Sequence, residues 1–325
     1  MPAATDAVRP ITLAEVQAAR GRLAGHIVRT PLVRLDLGPG QPDIRLKLEN
    51  LQATNSYKLR GALNAVALLP ESERRRGVWT ISAGNAGQGI AWAARAAGVP
   101  CTVVVIETAP AAKLERMRAL GARLVPVPWE VAWRALGERE FPGVDGAFVH
   151  PFDEHDFIAG HGTMALEILE DAPDTVAVIA AIGGGGLITG LGSVLKALRP
   201  GIAVWGAEPE TGAPAALSFA LGSPQAFRDW APSFVDGAGG QSVFPRMWER
   251  MRPVVDGSIV VSLEATRNAM RMLAEKSRVV AEGAGALSLA AALSGRAGQG
   301  PIVAIVSGGN VDLAKFCALI APPTA

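Results

Sequence analysis

Residues 175–200, T-V-A-V-I-A-A-I-G-G-G-G-L-I-T-G-L-G-S-V-L-K-A-L-R-P, constrain the fold more than any other stretch of this chain. The first half is apolar and partly β-branched, as in strands buried on both faces of a parallel sheet. Four consecutive glycines follow: Gly183, Gly184, Gly185 and Gly186. The second half has apolar residues at helical spacing and stops at Pro200. The pattern predicts a strand, a turn and a helix, and a helix start built from glycine amides suits an anion. No Walker lysine accompanies the glycines, which sets aside a P-loop. The G-x-G-x-x-G spacing also fails, because Ile188 and Thr189 stand where the third glycine belongs. A tight turn without a ligand is the alternative, although four glycines cost it much backbone entropy. The uncharged run 175–195 is long enough for a bilayer, but glycines in its middle favour a buried strand–turn–helix.

Two further turns repeat this design. G-V-W-T-I (77–81) leads into S-A-G-N-A-G-Q-G (82–89), and P-I-V-A-I-V leads into S-G-G-N-V-D-L (307–313). Ligands of open α/β sheets bind beyond the carboxyl ends of the strands, where these turns would sit. Lys58 lies in N-S-Y-K-L-R-G-A (55–62), between the strand-like R-L-K-L-E-N (45–50) and the helical A-L-N-A-V-A-L-L (62–69). The helix dipole and Arg60 are expected to lower the pKa of its amine. A partly neutral amine can form a Schiff base with an aldehyde. The alternative is a solvated surface charge, the ordinary state of a lysine at a helix start. Three small polar turns and one such lysine together suggest a phosphorylated aldehyde, pyridoxal 5′-phosphate.

With these motifs in this order, the chain resembles the fold-type II pyridoxal-phosphate enzymes. The nearest pattern is that of the serine/threonine dehydratase (threonine ammonia-lyase) and serine racemase group. The resemblance runs from T-P-L (30–32) to S-G-G-N-V-D-L. It implies a two-lobed α/β fold with parallel sheets, similar to the tryptophan synthase beta chain. Residues 1–51 and 152–325 would form the large cofactor-binding domain and 52–151 the small one. It implies that Lys58 forms the Schiff base and acts as general base, and that Asn85 meets the cofactor's 3′ oxygen. Tyr57, where the family usually has Phe, would shield one face of the ring. Gly183, Gly184, Gly185 and Gly186, with the Leu187 amide, would hold the phosphate. Ser307 would face the pyridine nitrogen as a neutral partner. Ser82, Ala83 and Gly84 would hold the substrate carboxylate, with Ala86 beside them. The expected reaction is β-elimination from a 3-hydroxy amino acid such as L-threonine or L-serine, giving a 2-oxoacid and ammonia.

Two positions depart from the family's pattern. Serine racemases carry a second serine at the place of Ala83, so racemisation is disfavoured here. Ala86 stands where histidine is usual, which makes room for a bulkier 3-hydroxy amino acid: a phenylserine, a hydroxyaspartate or a product of osmolyte breakdown. A racemase or β-replacement synthase is the alternative enzyme. A non-catalytic small-molecule binding protein is the alternative from another class, and Lys58 speaks against it. By resemblance, Glu208 is a candidate ligand for a mono- or divalent cation, although Pro214 replaces the aspartate expected nearby; an ion-paired carboxylate is the other reading. Asp236 and Gly237 resemble a family pair or form a simple turn. Glu282 lines the cofactor cleft or caps the helix 286–293.

Bulk properties fit these expectations. Thirty-one Lys+Arg balance 30 Asp+Glu, and no basic face points to nucleic acid. Cys101 and Cys317 are far apart, which sets aside a disulfide framework or zinc site, and Cys101 opens a strand-like run. The four histidines share no metal spacing and read as structural or surface groups. The polar N-terminus lacks a signal core, and the chain stops too soon after S-G-G-N for the family's regulatory domain. The expectation is a cytoplasmic homodimer that acts on a small amino acid away from membranes. Residues 209–258, rich in Pro, Gly and Ser, read as irregular. Thr12 and Glu15 predict a capping box at the start of helix 12–23.

Overall fold

The computed structural model describes residues 7–109 and 111–321; the first six residues of the polar N-terminus lie outside the described residues. Among the described residues the strands are β1 Leu32–Arg34, β2 Ile44–Leu48, β3 Val78–Ile81, β4 Cys101–Ile106, β5 Arg123–Val127, β6 Ala147–Phe148, β7 Ala177–Ala181, β8 Ala203–Pro209, β9 Gly257–Val261 and β10 Ile302–Val306. They form a six-stranded sheet in the order β1-β2-β10-β7-β8-β9 and a four-stranded sheet in the order β5-β4-β3-β6. β1 and β2 are antiparallel, and every other pairing between strands is parallel. Parallel neighbours need crossovers, which the helices supply. The α/β architecture expected from residues 175–200 is therefore present.

Burial on both faces explains why β7 is apolar without alternation. Ala177, Ile179 and Ala181 enter one core, while Val178 and Ala180 enter the other. In β10, Ile302, Ala304 and Val306 join the first core, and Val303 and Ile305 the second. The helices Leu263–Ser277 and Gly283–Leu293 cover the first face; His155–Asp171 and Gly186–Leu198 cover the second. The smaller sheet repeats the scheme, with Cys101, Val103 and Val105 on one side of β4 and Val104 on the other. Burial pushes the Cys101 thiol up to about 12, which makes it an inert core group. The predicted capping box is present at the start of helix Leu13–Leu23, where Thr12 Oγ1 accepts from Glu15 N and Glu15 Oε2 from Thr12 N.

Two expectations are corrected. Residues 209–258 contain helices Pro214–Leu221 and Pro245–Met251. Each opens on a proline, which suits a first helical position because its missing N–H has no intrahelical partner there. The last strand before the chain returns to the large sheet, β6, pairs with β3 and closes the small one. Arg60 turns away from Lys58. Its guanidinium lies fully buried between Glu49 (2.8 Å from both Nε and Nη2) and Glu167 (2.7 Å from Nη1). Lys47 Nζ completes the cluster at 2.6 Å from Glu167, and Thr30 Oγ1 donates to Glu49. Two cations and two carboxylates thus tie β2, the turn after it, helix Lys58–Leu68 and helix His155–Asp171 together. This cluster fixes where the helix carrying Lys58 begins.

Candidate active site

The carboxyl ends of β3, β7 and β10 face one cavity of about 390 Å³. Tyr57, Lys58, Ser82, Ala83, Gly84, Asn85, Ala86, Gly184 and Ser307 line it. Residues predicted from four separate stretches are therefore brought together. Gly183 lines a neighbouring cavity instead. Gly185 caps, and Gly186 and Leu187 open, the helix that runs from the turn; the Leu187 side chain is buried in the core behind it.

Lys58 is the first residue of its helix. Its Nζ donates to the Pro151 carbonyl at 2.6 Å and lies 5.2 Å and 5.3 Å from the ring centres of Tyr57 and Phe157. Burial pushes the amine down to about 7. Desolvation penalises the charged form, and two rings with one carbonyl do not restore what water supplied. The low value thus comes from burial rather than from the expected neighbour Arg60. The Pro151 carbonyl is itself held in place. His150 Nδ1 accepts from Phe152 N and Asp153 N at 3.3 Å and 2.9 Å, and Arg139, Arg246 and Arg250 grip the Asp153 carboxylate. Burial keeps the His150 ring well below its usual range, so it stays a neutral acceptor. His161, fully buried, stacks edge-on against Tyr57 at 4.7 Å.

The remaining groups form a short polar chain. Tyr57 N donates to the Ser307 carbonyl at 3.0 Å, and Ser307 Oγ lies 3.4 Å from the Ala284 carbonyl. Ser82 Oγ accepts from Gly84 N at 3.2 Å and shapes the turn 82–84. Asn85 Nδ2 donates to Glu282 Oε1 at 2.6 Å, and its Oδ1 accepts from Asn310 Nδ2 at 2.7 Å. Glu282 therefore lines the cleft instead of capping the helix that follows it; no side-chain cap is made there. Burial, aided by the charge of Asp236, pushes its carboxyl up to about 7. A Cβ at Gly308 would come 2.5 Å from Glu282 Oε1, which explains the second letter of S-G-G-N. Lys113 pairs with Asp236 across the cavity mouth. Sequence reasoning missed Pro151, Phe152, Lys113 and Asn310 as parts of the site. Only Asn310 left a signal, as the last residue of S-G-G-N.

Glu208 lies elsewhere. Its oxygens accept from Ala215 N, Ala216 N and Ser258 Oγ at 2.9, 2.8 and 2.7 Å. These donors are neutral, so the ion-pair reading is corrected. The carboxyl satisfies the free amides at the start of helix Pro214–Leu221, and burial pushes it up to about 7. Among the described residues, no three His, Cys, Asp or Glu side chains gather as a metal site.

The residues present fit pyridoxal phosphate. The glycine turn is a cradle with no room for side chains: a Cβ on Gly184 would meet the Phe152 ring at 2.1 Å, and one on Gly183 the Gly237 carbonyl at 2.9 Å. Gly185 adopts φ +86°, a left-handed conformation in which other residues are strained. A buried amine near neutrality and a neutral hydroxyl at a strand end complete the donor set. The family model "Pyridoxal-phosphate dependent enzyme" matches residues 23–308. The L-threonine ammonia-lyase of Thermotoga maritima is 39% identical over 93% of this chain and 76% of its own length. A solved structure of a T.th. threonine deaminase superposes with a TM-score of 0.82 at 37% identity, covering 93% of this chain and 99% of that one. Maize serine racemase superposes with a TM-score of 0.86 at 32% identity, covering 95% and 97%. The sheets, the buried lysine, the glycine cradle and these likenesses agree: the chain belongs to the family of pyridoxal-phosphate dependent enzymes.

Proposed function

We propose that this enzyme removes the β-hydroxyl and the amino group of a 3-hydroxy amino acid such as L-threonine or L-serine, releasing a 2-oxoacid and ammonia. The observation that carries the reading is the Lys58 amine, buried in the cavity and lowered to about 7. The likeness to an L-threonine ammonia-lyase and a threonine deaminase supports it. In this reading Lys58 anchors the cofactor and then carries the Cα proton. When bound, the cofactor supplies an electron sink for the charge left at Cα. The amides of Gly183, Gly184, Gly185, Gly186 and Leu187 would hold its phosphate, Asn85 its 3′ oxygen and Ser307 its ring nitrogen. Tyr57 would cover one face of the ring. The turn Ser82, Ala83 and Gly84 would hold the substrate carboxylate. We assign residues 1–51 and 152–325 to a large lobe and 52–151 to a small one, each around its own sheet.

Racemisation is the second reading, favoured by the likeness to maize serine racemase. Ala83 lines the cavity but has no hydroxyl with which to carry a proton opposite Lys58. Elimination is therefore the stronger assignment. The test is to supply L-threonine and L-serine to the holoenzyme and assay 2-oxoacid, ammonia and the D-isomer together. Equimolar oxoacid and ammonia support elimination. A D-isomer without ammonia would overturn it.

The lowered amine has a kinetic consequence. Only neutral Lys58 attacks an aldehyde, and below a pKa of about 7 the neutral fraction rises tenfold with each pH unit. The apoenzyme should therefore capture pyridoxal phosphate at a rate that climbs with pH and levels above about 7. Stopped-flow absorbance would check this. A rate still climbing tenfold per unit at about pH 9, near the range of an ordinary lysine, would mean that the amine is not desolvated in solution.

A further inference from the structure

A second cavity, of about 290 Å³, adjoins the catalytic one; the two share Phe152, Gly184, Asp236 and Gly237 as common wall. Its lining carries five aromatic rings, Trp129, Trp133, Trp230, Phe152 and Phe244, beside Met251 and the cradle glycines Gly183 and Gly184. The rings form a stacked run. Trp129 stacks on Trp133 at 5.4 Å, Trp133 on Phe244 at 5.5 Å, and Phe244 on Phe152 at 5.4 Å. The run starts at the surface, where Trp129 is 43% exposed, and ends on the ring that backs the glycine cradle. Trp230 also lines the cavity, its Nε1 donating to the Gly239 carbonyl at 3.0 Å. Among the described residues no Lys, Arg or His lines this cavity, and Asp236 contributes a carboxylate to it. On the carboxylate-turn side, Ala86 adds no bulk and no polar atom beyond its backbone.

Three partly exposed tryptophans gathered on one cavity beside a reaction site need an occupant that is apolar and flat. The methyl group of threonine does not fill such a space. A carboxylate substituent would meet Asp236, whose charge Lys113 already balances, and no cation of the cavity's own lining. Resting on the elimination reading above, we propose that this cavity receives the β-substituent of the substrate, and that the substrate class is a 3-hydroxy amino acid bearing an aromatic ring on Cβ. The chemistry balances without a further reagent. The Cα proton is taken, the Cβ–O bond breaks and the hydroxyl leaves as water. The enamine that results then moves a proton to Cβ and takes up one water as ammonia departs. For 3-phenylserine the products are phenylpyruvate and ammonia.

The test uses the holoenzyme with L-threo-3-phenylserine, L-threonine and 3-hydroxyaspartate, following 2-oxoacid and ammonia. We expect kcat/KM for phenylserine to exceed that for threonine by about tenfold or more, with hydroxyaspartate the poorest. Trp133→Ala should lower the phenylserine-to-threonine ratio by about tenfold, mainly through KM, and Trp133→Phe should restore most of it. Threonine turned over as well as phenylserine, or a Trp133→Ala variant that slows both alike, overturns the proposal. If no substrate is turned over, the elimination reading fails separately, and binding decides. Tighter binding of phenylserine than of threonine, read from quenched tryptophan fluorescence and weakened by Trp133→Ala, would uphold the pocket. Equal binding would overturn it.

Discussion

Lys58→Ala should lower turnover by about 10⁴-fold or more while leaving the chain folded. The magnitude follows from two losses at one position. The alanine variant has no amine to hold the cofactor covalently, and none to carry the Cα proton; a positioned base alone contributes about 10² to 10⁴. The fold should survive because Nζ belongs to no structural cluster. Its hydrogen bond goes to the Pro151 carbonyl, while the buried charges that tie the helix in place are those of Arg60 and its partners. Alanine also has the highest intrinsic helix propensity. The measurement pairs steady-state assay with the absorbance spectrum and a urea titration. The parent should show a visible band on addition of pyridoxal phosphate, and the variant should lack that band at an unchanged urea midpoint. Activity above about one per cent of the parent in a folded variant would place the proton transfer on another group.

Arg60→Met should cost about 3–5 kcal/mol of stability, as expected when one partner of a buried ion pair is removed. Methionine fills much of the space, so packing is not the main loss. Glu49 and Glu167 would remain buried with Lys47 alone to balance them. In the parent, burial drives the Glu49 carboxyl up. The charge and hydrogen bonds of Arg60, with Thr30 and Lys47, outweigh that and hold it below its ordinary value of 4.5. A depressed carboxyl contributes stability above its unfolded pKa and loses it as pH falls through the folded one. In the variant the same carboxyl should lie raised, so it takes up a proton on folding. The difference between parent and variant should therefore shrink as the pH falls toward 4.5, and urea titrations at neutral and acid pH would show this. A constant difference would mean that Glu49 stays charged without Arg60. Turnover should fall as well, because the cluster sets the start of the helix on which Lys58 sits.

The sequence carried the architecture because its signals are local. Strands buried on both faces must be apolar throughout, and β7 and β10 are. A turn that must bring its backbone against Phe152 and Gly237 has to be glycine, and four in a row are visible without a structure. Lys58 and the three turns could be found because each stands at a strand end or helix start, positions that short spacings reveal. Prolines misled the reading of residues 209–258, since the same residue opens a helix or breaks one depending on what precedes it.

What only the tertiary structure decided are the properties that depend on distant neighbours. The pKa of Lys58 is set by the walls that exclude water from it: the strap 150–153, Tyr57 and Phe157. No spacing around residue 58 encodes these. The nearest cation in sequence, Arg60, is committed to carboxylates at positions 49 and 167. The partnership of Asn85 with Glu282 and the run from Trp129 to Phe152 likewise join residues far apart in sequence. A residue's type and local spacing follow from sequence alone, whereas desolvation and charge pairing are properties of the space around it, which exists only once the chain has folded.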